Sequence, residues 1–164
     1  MPLVRISLKK GKPAAYREAI AEGVYQALRE TFNVPEGDRF VTISEHEDGT
    51  FIYDPNYLGI RRTDDLVIIQ LTVSNTRPRE QKQALYKRIV EKLTDRPGLR
   101  PEDVFINLVE VLPENWSFWP WRGAVRDMIT QRETLMAHLC GVGMGMATIV
   151  GMVPATVSLM RMLV

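Results

Sequence analysis

The sequence predicts an α+β fold in which a strand, helix, strand unit occurs twice, giving one four-stranded sheet with two helices on one face. In each half of the chain a helix-period pattern lies between two strand-period patterns. The halves align at a constant spacing, and 164 residues can bury a sizeable core. We therefore expect one domain over residues 1–118 and an apolar tail over residues 119–164.

The first half covers about residues 2–60. Leu3, Val4 and Ile6 form a short apolar strand, and Pro13 is suited to begin a helix. That helix carries apolar side chains at four-residue spacing, which gives it one apolar face: Tyr16, Ile20, Val24, Leu28 and Phe32. The segment VPEGD then turns the chain into FVTISEH, residues 40–46, whose alternating side chains predict a second strand.

The second half covers about residues 65–118. The run LVIIQLTV, residues 66–73, predicts a strand, and its continuous apolarity favours burial on both faces. A helix is expected from about Glu80 to Thr94, with Leu85, Ile89 and Leu93 as its apolar stripe. The segment PED then leads into VFINLVEVL, residues 104–112, as the fourth strand.

The two halves are related in sequence. Phe40 matches Phe105 and Glu45 matches Glu110 at one offset of 65 residues. A βαβ unit repeated at this interval implies two parallel strand pairs in one sheet, with both helices on one face. The other face is expected to be apolar and uncovered, so the subunit should associate with copies of itself.

Composition excludes several classes of site. The formal net charge of +1 provides no basic stripe, so nucleic acid is not an expected partner. A single cysteine, Cys140, excludes an internal disulfide, and two distant histidines, His46 and His138, make a metal centre improbable. Neither a metal nor a cofactor is expected. The start MPLVRISLKKGK has the wrong order for a secretory signal, so the expected compartment is the cytoplasm.

Pro2 is the first candidate catalytic residue in the sequence. If the initiator methionine is removed, as a small second residue permits, Pro2 becomes a secondary amine at the start of an interior strand. A free α-amino group has a pKa of about 7.7 to 8.0, and burial or nearby cations lower it towards the range best suited to a general base. Proline after methionine is also common without any function. The residues expected near Pro2 therefore decide whether it is a candidate catalytic base.

The segment NTRPR follows the third strand. Arg77 and Arg79 flank a proline there, and such a pair can hold a carboxylate while lowering the pKa of a neighbouring amine. The alternative is a solvated helix start, although two cations there oppose the helix dipole. Asp38 in PEGDRF is by itself typical of a turn, and Trp116 and Phe118 fit a hydrophobic wall or plain core.

These motifs together resemble the tautomerase superfamily, and within it the longer fused-repeat members of the malonate semialdehyde decarboxylase group. The resemblance spans residues 1–118 and is carried by Pro2 in MPLVRISL, Asp38 in VPEGDRF, LGIRRTDD at 58–65, Arg77 and Arg79 in TRPREQK, and NWSF at 115–118.

The resemblance implies a role for each of these positions. Pro2 would be the catalytic acid or base, Arg77 and Arg79 would bind and polarise a carboxylate or carbonyl, and Asp38 would orient water or proton transfer. Trp116 and Phe118 are expected beside the substrate. The family fold is the repeated βαβ unit assembled as a trimer, so a homotrimer acting on a small carboxylate is expected.

The protonation state of Pro2 separates two reactions. As a neutral amine it would move a proton and catalyse keto–enol tautomerisation of a small 2-oxo or dienoic acid. As a cation it would polarise a carbonyl, so the alternative is a decarboxylase or hydratase of a malonate semialdehyde-type 3-oxo acid.

The tail has its own composition. No charged residue occurs from Leu139 to Met160, and lysine is absent after Lys92. That length suffices for a membrane span, although Pro154 and several glycines weaken any helix there. One interpretation is therefore a non-catalytic, membrane-tethered interaction module; a membrane partner is expected only if the tail is genuine.

A frameshift is the other interpretation of the tail. Family members continue from WSF into a glycine-containing stretch, whereas this chain continues WPWRGAVRDMI. Deleting one T after the Phe118 codon converts Trp119, Pro120 and Trp121 into Gly-x-Gly, and it converts Met128 and Ile129 into a stop. Both results are forced by the codon table. We therefore hypothesise that residues 119–164 are a frameshifted end, natural or from sequencing.

Overall fold

A computed structural model describes residues 2–117. The chain forms β1 (Leu3–Lys9), α1 (Ala14–Phe32), β2 (Phe40–His46), β3 (Val67–Ser74), α2 (Arg79–Asp95) and β4 (Val104–Val111). Short 3-10 helices lie at Tyr57–Gly59, Pro101–Asp103 and Pro113–Asn115. The α+β prediction is thus confirmed. The expectations for Phe118 and for the tail fall outside the described residues.

Both helices begin directly after a proline. Pro13 and Pro78 are the N-cap residues of α1 and α2, with extended backbone at each. Asn33 caps the end of α1 in a left-handed backbone conformation (φ 53°), and its N–H donates to the carbonyl of Leu28. These boundaries lie within one residue of the predicted ones, because proline and the turn residues limit where a helix can extend.

The sheet has the strand order β2-β1-β3-β4. β1 pairs in parallel with β2, β3 pairs in parallel with β4, and the two pairs meet through an antiparallel β1–β3 ladder. Leu3 lies opposite Phe40 in the first pair, and Ile68 lies opposite Phe105 in the second. Each member of the second pair is 65 residues beyond its counterpart, so the predicted repeat is confirmed at the level of strand register.

The core lies between the helices and one face of the sheet. Alternate residues of β1 and β3 are almost fully buried there, together with the apolar stripes of both helices. The other face of β3 is only half-buried, so the expectation that this strand is buried on both faces is wrong for the protomer. One helical layer covers one sheet face, and the described chain provides no second layer.

The uncovered face is not the apolar surface that was expected. Its centre is polar, with Ser7, Thr42, Gln70, Thr72 and Asn107, while apolar side chains such as Leu3, Phe40 and Ile68 lie among and around them. The Gln70 amide donates to Asn107 Oδ1 at 3.3 Å. Such a surface favours a partner that offers hydrogen bonds as well as apolar contact.

The antiparallel junction sets the position of the strand ends. β1 and β2 begin where β3 and β4 finish, and we call this the Pro2 end of the sheet. Helix α1 also finishes there, since Phe32 contacts the β3–α2 connection. Within residues 2–117 neither helix is long and apolar enough to cross a membrane.

Candidate active site

Pro2 immediately precedes the interior strand β1 and is buried. The parallel register of Leu3 with Phe40 continues to place Pro2 level with Arg39. The antiparallel register of Leu3 with Thr72 places it level with Val73. Its nitrogen is therefore bordered by the entry to β2 on one side and by the exit from β3 on the other.

Asp38 lies at the entry to β2, at the end of a tight turn. The Asp38 N–H donates to the carbonyl of Pro35 at 3.2 Å, and Gly37 has a φ of 81°. A positive φ at the third position is typical of a type II turn and favours glycine. The Gly37 N–H donates to the hydroxyl of Tyr25 at 3.0 Å. Asp38, half-buried, is thus held beside the strand that neighbours Pro2.

Arg77 lies in the β3–α2 connection and closes the end of α1. Its Nη2 donates to the carbonyl of Phe32 at 3.1 Å, and its Nη1 donates to Thr76 Oγ1 at 2.7 Å. The guanidinium also lies 5.4 Å from the centre of the Phe32 ring. Its Nε is buried and has no hydrogen-bond partner within residues 2–117. A buried donor left in this way is a candidate contact for an anionic ligand.

Arg79 is the first residue of α2 and is exposed. The first N–H groups of a helix have no partner within the helix and carry partial positive charge, so they attract anions. Arg79 adds an exposed cation to this terminus. Arg77 and Arg79 therefore differ: the first is fixed by the protein, and the second is available to a substrate carboxylate.

Trp116 follows β4 through the 3-10 turn Pro113–Asn115 and is half-buried. The exit of β4 is tied to the exit of β3, because the Asn75 N–H donates to the carbonyl of Val111 at 3.0 Å. The chain therefore reaches Trp116 from the end of the sheet at which Pro2 lies. Phe118 lies outside the described residues.

The fold brings the predicted residues within residues 2–117 to one end of the sheet. If Met1 is removed, an amine, a carboxylate and two guanidinium groups lie at this end, and these are the kinds of group that acid–base chemistry on a carboxylic acid requires. Tyr25, which holds the Asp38 turn, was missed by the sequence analysis, and its only signal was a tyrosine beside the apolar stripe of α1. Within the described residues no cluster of His, Cys, Asp or Glu could hold a metal ion.

Comparison with known proteins identifies the family. Two family models, both described as tautomerase enzyme, match residues 2–61 and residues 38–119. The probable tautomerase YusQ of Bacillus subtilis is 41% identical over 118 residues, which cover 72% of this chain and 93% of YusQ. The probable tautomerase YrdN of the same organism is 32% identical over 118 residues, covering 72% of this chain and 91% of YrdN.

Solved structures agree with this result. A malonate semialdehyde decarboxylase has a TM-score of 0.69 at 29% identity, covering 79% of this chain and 98% of that one. The FG41 malonate semialdehyde decarboxylase, inhibited by 3-bromopropiolate, has a TM-score of 0.69 at 32% identity, with 79% and 96% covered. Fold and sequence agree, and the chain belongs to the tautomerase family.

Proposed function

We propose that this enzyme uses Pro2 as the acid–base group in keto–enol tautomerisation of a small 2-oxo or dienoic acid. The observation that carries the proposal is the meeting of Pro2, the Asp38 turn and the Arg77 connection at one end of the sheet. Arg77 and Arg79 bind the substrate carboxylate. The chemistry needs removal of Met1, because only a free amine has a usable lone pair.

The proposed reaction transfers one proton and needs no other reactant. The Pro2 nitrogen accepts a proton from the enol oxygen or the α-carbon, and the electron pair moves along the conjugated system. The resulting prolinium cation returns the proton one or two atoms away. Burial of Pro2 and the nearby guanidinium groups favour the neutral amine near neutral pH, which is the form required for the first step.

Decarboxylation or hydration of a malonate semialdehyde-type 3-oxo acid is the second candidate. It is favoured by the likeness to two malonate semialdehyde decarboxylases at 29% and 32% identity over nearly their whole length. In this reaction a protonated Pro2 polarises the 3-carbonyl, the bond to the carboxylate breaks, and carbon dioxide leaves. The remaining enolate then accepts a proton. Asp38 directs water or the proton in this scheme.

We propose further that the enzyme is a cytoplasmic homotrimer. The β2–β3 connection exposes apolar side chains, among them Ile52 at 87% and Leu58 at 78% exposure. The uncovered sheet face offers hydrogen-bonding groups beside apolar ones. Related folds include a fused 4-OT described as a symmetric trimer, which has a TM-score of 0.62 at 15% identity.

A spectrophotometric assay tests the proposal. Protein with a verified amino-terminal Pro2 is compared with protein that carries an amino-terminal tag, using enolised 2-oxo acids and malonate semialdehyde as substrates. The tag turns the nitrogen into an amide, so we expect activity to disappear. For the free amine acting as a base, kcat/KM should rise with pH through its titration. Equal activity of the tagged and processed proteins would refute the mechanism.

A further inference from the structure

We infer that Tyr25 is a positioning residue for Asp38. The inference rests on the second candidate of the proposed function, because that is the reaction in which the Asp38 carboxylate directs water or the proton. Tyr25 lies on α1 and is 7% exposed. It lies outside the candidate catalytic residues and acts on them only through the chain beside Asp38.

The Tyr25 hydroxyl fixes the residue before Asp38. It accepts the Gly37 N–H at 3.0 Å. The hydrogen bond inside the turn joins the Asp38 N–H to the Pro35 carbonyl, so the Gly37 N–H has to find its partner outside the turn. Tyr25 is that partner, and it joins the turn to the middle of α1.

The Tyr25 ring contacts the residue after Asp38. The guanidinium of Arg39 lies 5.1 Å from the ring centre, and Arg39 Nη1 also pairs with Glu22 Oε2 at 2.8 Å. A second guanidinium, that of Arg29, lies 5.9 Å from the same ring. Cation–π contacts of this kind favour one placement of the cation over the ring. Tyr25 therefore contacts both neighbours of Asp38 along the chain.

Holding both neighbours restrains the backbone from which the Asp38 side chain projects. A catalytic carboxylate acts within a few tenths of an ångström, and displacement of about 1 Å lowers rates by roughly a hundredfold. Without the Tyr25 hydroxyl, the Gly37 N–H can hydrogen-bond only with water, and the turn is free to shift. The Asp38 carboxylate then spends less time at the position the reaction needs.

Tyr25→Phe tests this role, because it removes the hydroxyl and keeps the ring that contacts Arg29 and Arg39. On the substrate whose turnover is most reduced by Asp38→Asn, we expect kcat to fall about tenfold and KM to change less than twofold. Tyr16→Phe is the matched control: it removes a hydroxyl from the other end of the same helix, and it should leave kcat within twofold. The Gly37 amide should exchange with solvent faster in Tyr25→Phe than in the wild type.

The double variant separates positioning from general loss of structure. In the Asp38→Asn background, adding Tyr25→Phe should change kcat less than twofold, because no carboxylate is left to position. A further tenfold loss there would overturn the inference, and so would full activity of Tyr25→Phe or of Asp38→Asn in the single variants. Failure of the proposed function is seen separately, as a wild-type protein that turns over none of the substrates.

Discussion

Thr63 binds both oxygens of the Asp103 carboxylate. Its N–H donates to Oδ1 at 2.6 Å, and its hydroxyl donates to Oδ2 at 2.8 Å. Asp103 is fully buried, and Arg100 Nη1 lies 3.7 Å from Oδ2. This contact joins the β2–β3 connection to the start of β4, at the end of the sheet away from Pro2.

We expect Asp103→Ala to lower the free energy of unfolding by about 1–3 kcal/mol, because it removes the buried carboxylate that accepts from the part-buried N–H and hydroxyl of Thr63. Thr63→Val should cost less, since the backbone donor remains. Denaturant unfolding measures both, with exposed Glu102→Ala as the control. The kcat of Asp103→Ala below its melting range should match the wild type, because the residue is remote from Pro2; a specific loss of kcat would contradict this separation.

Arg77 and Arg79 should respond differently to substitution. Each alanine variant should lose roughly 2–4 kcal/mol of transition-state stabilisation if the arginine binds the substrate carboxylate. Of the two, Arg77→Ala alone should also lower the melting temperature, since Arg77, unlike Arg79, donates to a carbonyl at the end of α1. Steady-state kinetics and thermal unfolding measure the two effects. Unchanged kcat/KM in both variants would reduce the pair to a structural helix start.

We expect the Tyr16 hydroxyl to make the folded protein less stable at alkaline pH. Burial, with the nearby carboxylates of Asp65 and Asp103, raises the pKa of the Tyr16 hydroxyl to about 12. The neutral hydroxyl is thus favoured in the folded state. Its contribution to the free energy of unfolding is complete below about pH 10 and is lost as pH rises through about 12. The loss is less than about 1.4 kcal/mol per pH unit because the group is partly exposed. Unfolding at pH 9 and pH 11.5 should show a smaller decrease for Tyr16→Phe than for the wild type.

Leu58 tests the proposed trimer. This leucine has a φ of 59° and is 78% exposed, so its backbone is strained and its side chain lies in solvent in the isolated protomer. We expect Leu58→Glu to shift the assembly towards monomers, as measured by light scattering during size-exclusion chromatography. Gln83→Glu on the exposed face of α2 adds the same charge as a control. A trimer that persists unchanged in Leu58→Glu would remove this loop from the interface.

The frameshift hypothesis for residues 119–164 can be tested by sequencing the gene. Resequencing across the Phe118 codon should reveal the missing or added base that the frameshift hypothesis requires. The family match ends at residue 119, and 118 residues already cover 93% of YusQ. A chain ending Phe118-Gly-His-Gly-Glu-Ala-Gln-Tyr-Val-Thr should be more soluble than the full chain and at least as active. An inactive restored chain, with an active full chain that sediments with membranes, would instead support the anchor.

Local patterns predicted the elements well and the surfaces less well. β2 has the predicted bounds, and α2 extends one residue beyond prediction at each end. The match of Glu45 with Glu110 also has a physical basis, because each binds a helix cation: Arg17 at 2.9 Å and Lys82 at 2.7 Å. These cations are themselves 65 residues apart.

Other features depend on tertiary contacts that no local pattern records. The polar centre of the uncovered face was missed because LVIIQLTV was interpreted as a continuous apolar run, although Gln70 and Thr72 alternate with buried residues. The role of Tyr25 depends on the approach of a turn 12 positions later in the chain. Arg77 was expected to serve a ligand, whereas its contact with the Phe32 carbonyl gives it a place in the fold as well.

The sequence repeat places the backbone nitrogen of Val67, at the start of β3, where the first half has the nitrogen of Pro2 before β1. Val67 occupies in the second half the position of Pro2 in the first, and Asp103 occupies that of Asp38. The peptide bond from Leu66 makes the Val67 nitrogen an amide, and the incoming chain supplies Thr63 to the carboxylate of Asp103. Cleavage before Val67 would create a second amino terminus at the start of β3. If Met1 is removed, the protomer therefore has one strand-starting amine, at Pro2, while the continuity of the chain keeps the corresponding nitrogen of Val67 an amide.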